Sequence, residues 1–231
     1  MTDSVHSQLV QKIKSYQMPP AAVELLTKHK PLIIAGVSAA GKSAVAEHIQ
    51  SGSDFAHVIT HTTRPPRAGE ANGQNYWFVT EEQLLKLLDD NAMVEANAVH
   101  GETIYGSSIA AYEAVVAKNW RPLMVIDIQG VEIITRNVPG LNAAFLLPPT
   151  FEIWLERLDK RGQMSHVERA RRLQSAASEM EHVLNNSHFN LFINRDVPTV
   201  ADQITRGVVI PAEQHHNRDL VHRLIESIRA Y

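Results

Sequence analysis

Between Leu32 and Ser43 an apolar run, Leu32-Ile33-Ile34-Ala35, breaks into Gly36-Val37-Ser38-Ala39-Ala40-Gly41-Lys42-Ser43, and a helical pattern follows from Ala44 to Ile49. No other stretch constrains the fold as much. The spacing G-x-x-x-x-G-K-S between a strand and a helix predicts a loop whose backbone N–H groups, reinforced by a helix N-terminus, wrap a polyphosphate. Lys42 is then in reach of β- and γ-phosphates, and the Ser43 hydroxyl can hold Mg²⁺.

The rest of the chain alternates strand-like and helical stretches. Strands are expected at 32–36, 55–60, 76–79, 93–99, 122–127, 143–147 and 189–193, with helices between them. That alternation predicts an α/β fold with a parallel sheet. Pro122-Leu123-Met124-Val125-Ile126-Asp127 is an apolar run ending in a carboxylate, where the acid of a phosphate-loop enzyme belongs. Thr62-Thr63-Arg64-Pro65-Pro66-Arg67 cannot continue a central strand through its prolines, so it predicts an exposed loop presenting two arginines. At the N-terminus Val5, Leu9 and Ile13 form one helical stripe, expected to pack rather than to dock a partner.

Composition removes several function classes. The 231-residue chain has no cysteine, which excludes disulfides and thiol chemistry. A net charge of -3 gives no basic field for nucleic acid. No membrane association is expected, and a cytoplasmic location is. His215-His216 with His222 does not make a metal site, because adjacent histidines point to different helix faces and no carboxylate cluster accompanies them.

The ordered set Gly36-x-Ser38-x-x-Gly41-Lys42-Ser43, Thr62-Thr63-Arg64-Pro65-Pro66-Arg67-x-Gly69-Glu70-x-x-Gly73-x-x-Tyr76-x-Phe78, Tyr105-Gly106-Ser107, Asp127-x-Gln129-Gly130, Arg157-Leu158-x-x-Arg161-Gly162, Arg172-Leu173 and Asn194 resembles the guanylate kinase family. The resemblance runs from about residue 31 to 207. It implies a three-layer α/β/α phosphate-loop fold and transfer of the γ-phosphate of ATP to GMP or dGMP, with Mg²⁺. It also implies a core (31–63, 109–156 and 186–207), a GMP-binding insert (64–108) and a helical lid (157–185). Residues 1–30 and 208–231 lie outside it as helical extensions.

Carried over residue by residue, the resemblance assigns ATP to Gly36 through Ser43 (Gly36, Val37, Ser38, Ala39, Ala40, Gly41, Lys42, Ser43) and Asn194. It assigns the GMP phosphate to Arg64, Arg67, Tyr76 and Tyr105, with Glu70 supporting their loop, and guanine to Thr60, Glu95, Ser107 and Asp127. Lys42, Arg161 and Arg172 would act on the transferring phosphoryl group, with Arg157 as a weaker candidate, and Ser43 and Asp127 would hold Mg²⁺. The chemistry agrees: guanidinium forks suit phosphate, and the donor-rich N1/N2 edge of guanine asks for carboxylates. A monomer or homodimer is expected.

The sequence also departs from the family pattern. Val37 and Ala39 replace the usual proline and glycine of the loop, Ala96 replaces a tryptophan, and Val125 stands in place of a further acid. If Ala39 had to adopt a left-handed backbone, the cost would be about 1–2 kcal/mol. Two rival functions remain open: another small-molecule kinase on this scaffold, and a non-catalytic binding module. Modules of the second kind typically lose the loop Lys and Ser, which are present here as Lys42 and Ser43.

Overall fold

The computed structural model describes residues 4–99, 103–160 and 165–231. Arg161 and Gly162 of the expected lid lie outside the described residues. The fold is α/β, with parallel strands flanked by helices, and the chain divides into two compact units.

The first unit comprises Met1–Leu32, Asp54–Met124 and Gln129–Leu141. It begins with helix α1 (Val5–Ser15), capped by the Ser4 side chain, and α2 (Pro20–Lys28), which places proline in its first turn where no amide hydrogen is needed. Strand β2 (Phe55–His57) pairs in parallel with β7 (Arg121–Val125), Phe55 opposite Arg121. A second sheet has the order β4-β3-β6-β5, from β3 (His61–Thr62), β4 (Trp77–Phe78), β5 (Met93–Val99) and β6 (Thr103–Ser108). The strand expected over 55–60 is therefore strand only at Phe55–His57, and residues 58–60 lead into β3, which belongs to a different sheet. Val58 still donates to Leu123 at 2.9 Å, and by His61 the backbone is paired with Gly106 instead.

Helix α4 (Glu81–Asp89) starts with a capping box in which Thr80 and Gln83 satisfy each other's backbone N–H. Its Leu84 and Leu88 join Leu9, Met93, Ala96 and Ile104 in one buried cluster. The N-terminal stripe thus packs as expected, with Leu9 buried and Val10 and Ile13 beside it. Burying a leucine of this kind contributes about 1.5–3 kcal/mol. Helices α5 (Ile109–Val116) and α6 (Ile128–Asn137) complete this part of the chain.

The second unit comprises Ile33–Ser53, Val125–Ile128 and Asn142–Tyr231. Strand β1 (Leu32–Gly36) pairs in parallel with β8 (Ala143–Leu147), and β8 with β9 (Phe189–Ile193). These strands are nearly continuous apolar runs, as parallel strands covered on both faces require. Helix α3 (Lys42–Gly52) follows the loop and packs against α9 (Val197–Thr205). Helices α7 (Phe151–Asp159) and α8 (His166–Leu184) carry the arginine-rich stretch. The C-terminal helix α10 (Pro211–Ala230) packs on α8 and β9, where Gln214 and Asn217 hydrogen-bond the Leu191 backbone. Among the described residues no helix is long and apolar enough to cross a membrane.

Candidate active site

In the second unit β1 ends at Gly36, which lies so close to β8 that a Cβ would sit 2.5 Å from the Leu146 carbonyl oxygen. The loop then turns through Ala39, whose φ of 61° is left-handed. The departure from glycine therefore falls at the position where glycine is cheapest, and the loop carries about 1–2 kcal/mol of local strain. Two buried side chains hold it in place. Trp154 of α7 donates its indole N–H to the Ser38 carbonyl at 2.7 Å, and Asn194 donates Nδ2–H to the Ala40 carbonyl at 2.8 Å. Asn194 also sits against Gly41, where a Cβ would lie 2.2 Å from Nδ2. Arg157 in turn donates Nη2–H to the Asn194 carbonyl at 3.1 Å, while its Nη1 and the Asn194 Oδ1 are buried without a hydrogen-bond partner.

Lys42, the first residue of α3, curls back over the loop, with Nζ 2.6 Å from the Gly36 carbonyl oxygen and 3.1 Å from that of Val37. Its ammonium, the loop N–H groups and the N-terminus of α3 concentrate positive potential at one point. Ser43 lies exposed in the same first turn. Ile126 donates to the Ile34 carbonyl at 3.1 Å, which brings Asp127 to the strand end in this unit. Glu179 of α8 carries a raised pKa, first through burial and then through the Asp127 carboxylate, with Lys42 acting in the opposite sense. No motif marks Glu179 in the sequence; only the fold gathers it with Lys42 and Asp127. Arg172 is engaged on its own helix, its Nη2 2.6 Å from Glu168 Oε1.

In the first unit the second sheet has two chemically different faces. Glu95 pairs with Ser107 and Asn97 with Tyr105 across the β5–β6 ladder, and Thr62 pairs with Tyr105 on the other side. Directly opposed side chains share a face, so Thr62, Tyr105, Ser107, Glu95 and Asn97 line one polar surface. Glu95 is 3% exposed and accepts a 3.0 Å hydrogen bond from Asn97. Opposite it the Ser107 hydroxyl is buried without a hydrogen-bond partner, and Thr60, just before β3, is buried too. Asn97 was not among the expected site residues, although the two-residue period from Glu95 along a strand points to it.

Arg64, expected to be exposed, is largely buried, because Glu70 and two rings enclose it. Its Nη1 and Nη2 lie 2.8 and 2.9 Å from the two Glu70 oxygens, and its Nε lies 3.3 Å from the Tyr105 hydroxyl. The guanidinium carbon stands 5.2 Å from the Tyr76 ring centroid and 5.6 Å from that of Phe78. Glu70 also accepts the Arg67 backbone N–H at 2.7 Å, which fixes the turn and leaves the Arg67 side chain exposed. The Arg64 fork holds the Glu70 carboxyl below its ordinary range, and burial pushes the Tyr76 phenol up. Arg64, Arg67, Tyr76 and Tyr105 form a cationic, hydroxyl-bearing cluster at one end of the polar face.

A family model for guanylate kinase matches residues 28–206. The chain belongs to the guanylate kinase family. Guanylate kinase of Methylococcus capsulatus is 35% identical over 170 residues, covering 71% of this chain and 83% of that one. The Schizosaccharomyces pombe guanylate kinase is 35% identical over 187 residues, covering 79% and 92%. Among solved structures, the guanylate kinase of Anaplasma phagocytophilum superposes with a TM-score of 0.59 at 28% identity, covering 80% of this chain and 86% of that one. The family match stops short of α1 and of α10.

Proposed function

We infer that this guanylate kinase family member transfers the γ-phosphate of ATP to GMP, giving ADP and GDP. The observation that carries the reading is the buried pair Glu95–Ser107 on the polar face. A carboxylate accepts from guanine N1–H and N2–H, and a hydroxyl serves O6. Adenine would place an acceptor against the carboxylate and leave it unpaired, at a cost of about 1–3 kcal/mol or more. Thr60 and Asp127 complete the proposed guanine set, and Arg64, Arg67, Tyr76 and Tyr105 the phosphate set.

ATP is assigned to the loop Gly36–Ser43. Lys42 exchanges its bonds to the loop carbonyls for bonds to the β- and γ-phosphates, and Asn194 keeps the loop in shape through Ala40. A phosphate oxygen of GMP attacks the γ-phosphorus while the bond to the bridging oxygen of ADP breaks. Little covalent help is needed; positioning and charge neutralisation carry the rate. Arg161 and Arg172 are assigned to that charge, with Arg157 as a weaker candidate. For Arg172 this requires release from Glu168, as closure of a lid would provide.

The donors at hand suit Mg²⁺, which takes one or two carboxylates together with substrate phosphates and water. Ser43 and Asp127 would hold it, with Glu179 near enough to feel the charge of Asp127. When bound, the ion neutralises the charge that develops on the phosphate oxygens. Among the described residues no group of three or more acids and histidines could form a protein-only cage.

The test is a coupled assay of ADP release with GMP, dGMP, AMP, CMP and UMP. Turnover on GMP and dGMP well above the other three is expected. Turnover that ignores the base, or none at all, would contradict the reading.

A further inference from the structure

Met93 and Glu95 are two residues apart on β5, so a regular strand would turn both side chains to the same face. They face opposite ways. Met93 lies in the apolar cluster with Leu9, Leu88, Ala96 and Ile104, whereas Glu95 stands with Asn97 opposite Ser107. The register explains it. Met93 pairs with Ser108 and Glu95 with Ser107, a β-bulge that fits one extra residue between them. Gly106 makes room for the bulge, since a Cβ there would lie 2.6 Å from Met93 Cε and 2.7 Å from the Glu95 carbonyl oxygen.

A bulge on an edge strand leaves backbone groups to be satisfied from outside the ladder. β5 is the last strand of its sheet. The group that meets it comes from the segment just after α1. The Tyr16 hydroxyl donates to the Met93 carbonyl at 2.9 Å and accepts the Met93 N–H at 3.2 Å. Tyr16 is held there by α1, which is fixed at both ends on α4. His6 lies 2.6 Å from Glu81, and Lys12 2.6 Å from Asp89. Residues 4–16 precede the family match, which begins at residue 28.

We propose that α1 and Tyr16 form an intramolecular strap that fixes the β5 bulge and so sets Glu95 for guanine. Tyr16 is a positioning residue: its hydroxyl replaces the missing edge partner of Met93, and the bulge then turns the next carboxylate to the polar face. This rests on the reading of Glu95 as the guanine acceptor.

The experiment compares the full-length chain with Tyr16→Phe, which keeps the ring and removes the hydroxyl, and with Lys14→Ala on the exposed side of α1. In Tyr16→Phe the KM for GMP should rise about 10-fold, the KM for ATP should stay unchanged, and kcat should stay within about 2-fold. The preference for GMP over AMP should narrow, and exchange of the Met93 amide hydrogen should quicken about 10-fold. Lys14→Ala should match the wild type in all of these. Should Tyr16→Phe lack a cooperative thermal transition, the double variant His6→Ala with Lys12→Ala replaces it, with the same shifts at smaller size. Unchanged GMP KM in a folded variant would overturn the strap, whether or not Met93 exchange quickens. So would equal losses toward ATP and GMP. A wild-type chain that turns over ATP without regard to the base would overturn the guanine reading, and the strap with it.

Discussion

Asn194, at the end of β9, holds the carbonyl of Ala40 in the middle of the phosphate loop, through a buried 2.8 Å hydrogen bond. The bond restrains a loop that is already strained at Ala39. The same side chain fills the space over Gly41, and its backbone carbonyl engages Arg157. A single residue therefore ties loop, strand end and α7 together.

Removing it should loosen the ATP half of the site alone. Asn194→Ala is expected to raise the KM for ATP about 10-fold, the worth of one buried hydrogen bond of about 1.4 kcal/mol, with the KM for GMP nearly unchanged. Steady-state kinetics with each substrate varied in turn checks this. A shift confined to GMP would sever Asn194 from the ATP half of the site.

The Arg64–Glu70 fork gives a pH dependence with a definite sign. Glu70 has a lowered pKa because Arg64 binds its charged form. Its contribution to stability is thus fully present above the ordinary carboxylate value, and is lost as pH falls through the lowered one. Glu70→Gln should weaken GMP binding about 10-fold at pH 7.5 by releasing Arg64 and the Arg67 turn. The stability gap between wild type and variant should be constant above about pH 5 and close in stronger acid. Denaturant midpoints across that range would measure it; a gap that grew in acid would contradict the account.

Glu179 should titrate in the opposite sense. Burial raises its pKa, opposed by the charge of Lys42 and aided by that of Asp127, so folding favours the protonated form more than the unfolded chain does. Stability from this group is present below the ordinary carboxylate value and falls away as pH rises through the raised one. Glu179→Gln should accordingly be more stable than the wild type at pH 8 without ligands, with the two converging near pH 4. Thermal unfolding at several pH values tests it, and a variant less stable at pH 8 would show that the charged form is the one the fold favours.

Much of this was legible in the sequence because the chemistry constrains residue type and spacing together. The phosphate loop, the proline-stiffened arginine segment and the alternation of strand and helix each carry a local signal, and all three are present in the fold. Periodicity also found the packing stripe of α1, since Leu9 is buried as its spacing requires. What remained hidden depends on pairing over long distances. That Glu95 faces Ser107 follows from a bulge no local pattern announces, and the end of β2 at His57, short of the expected residue 60, follows from the second sheet claiming the backbone from His61. The prolines that follow Arg64 predict an exposed side chain, but a fork to Glu70 and two aromatic faces repay its desolvation. Glu179 sits within α8 and Tyr16 just after α1, in stretches of ordinary composition; only tertiary placement makes them important.

The most direct measurement is kcat/KM for GMP and for AMP in the wild type and in Glu95→Gln. The substitution keeps the size of the side chain and one acceptor but adds donors against a donor edge. The wild type should favour GMP strongly, and the variant should lose about 10–100-fold in kcat/KM for GMP, or some 1.4–2.7 kcal/mol of transition-state stabilisation, while AMP turnover changes little. Equal losses for both nucleotides, or a wild type that already prefers AMP, would contradict the account.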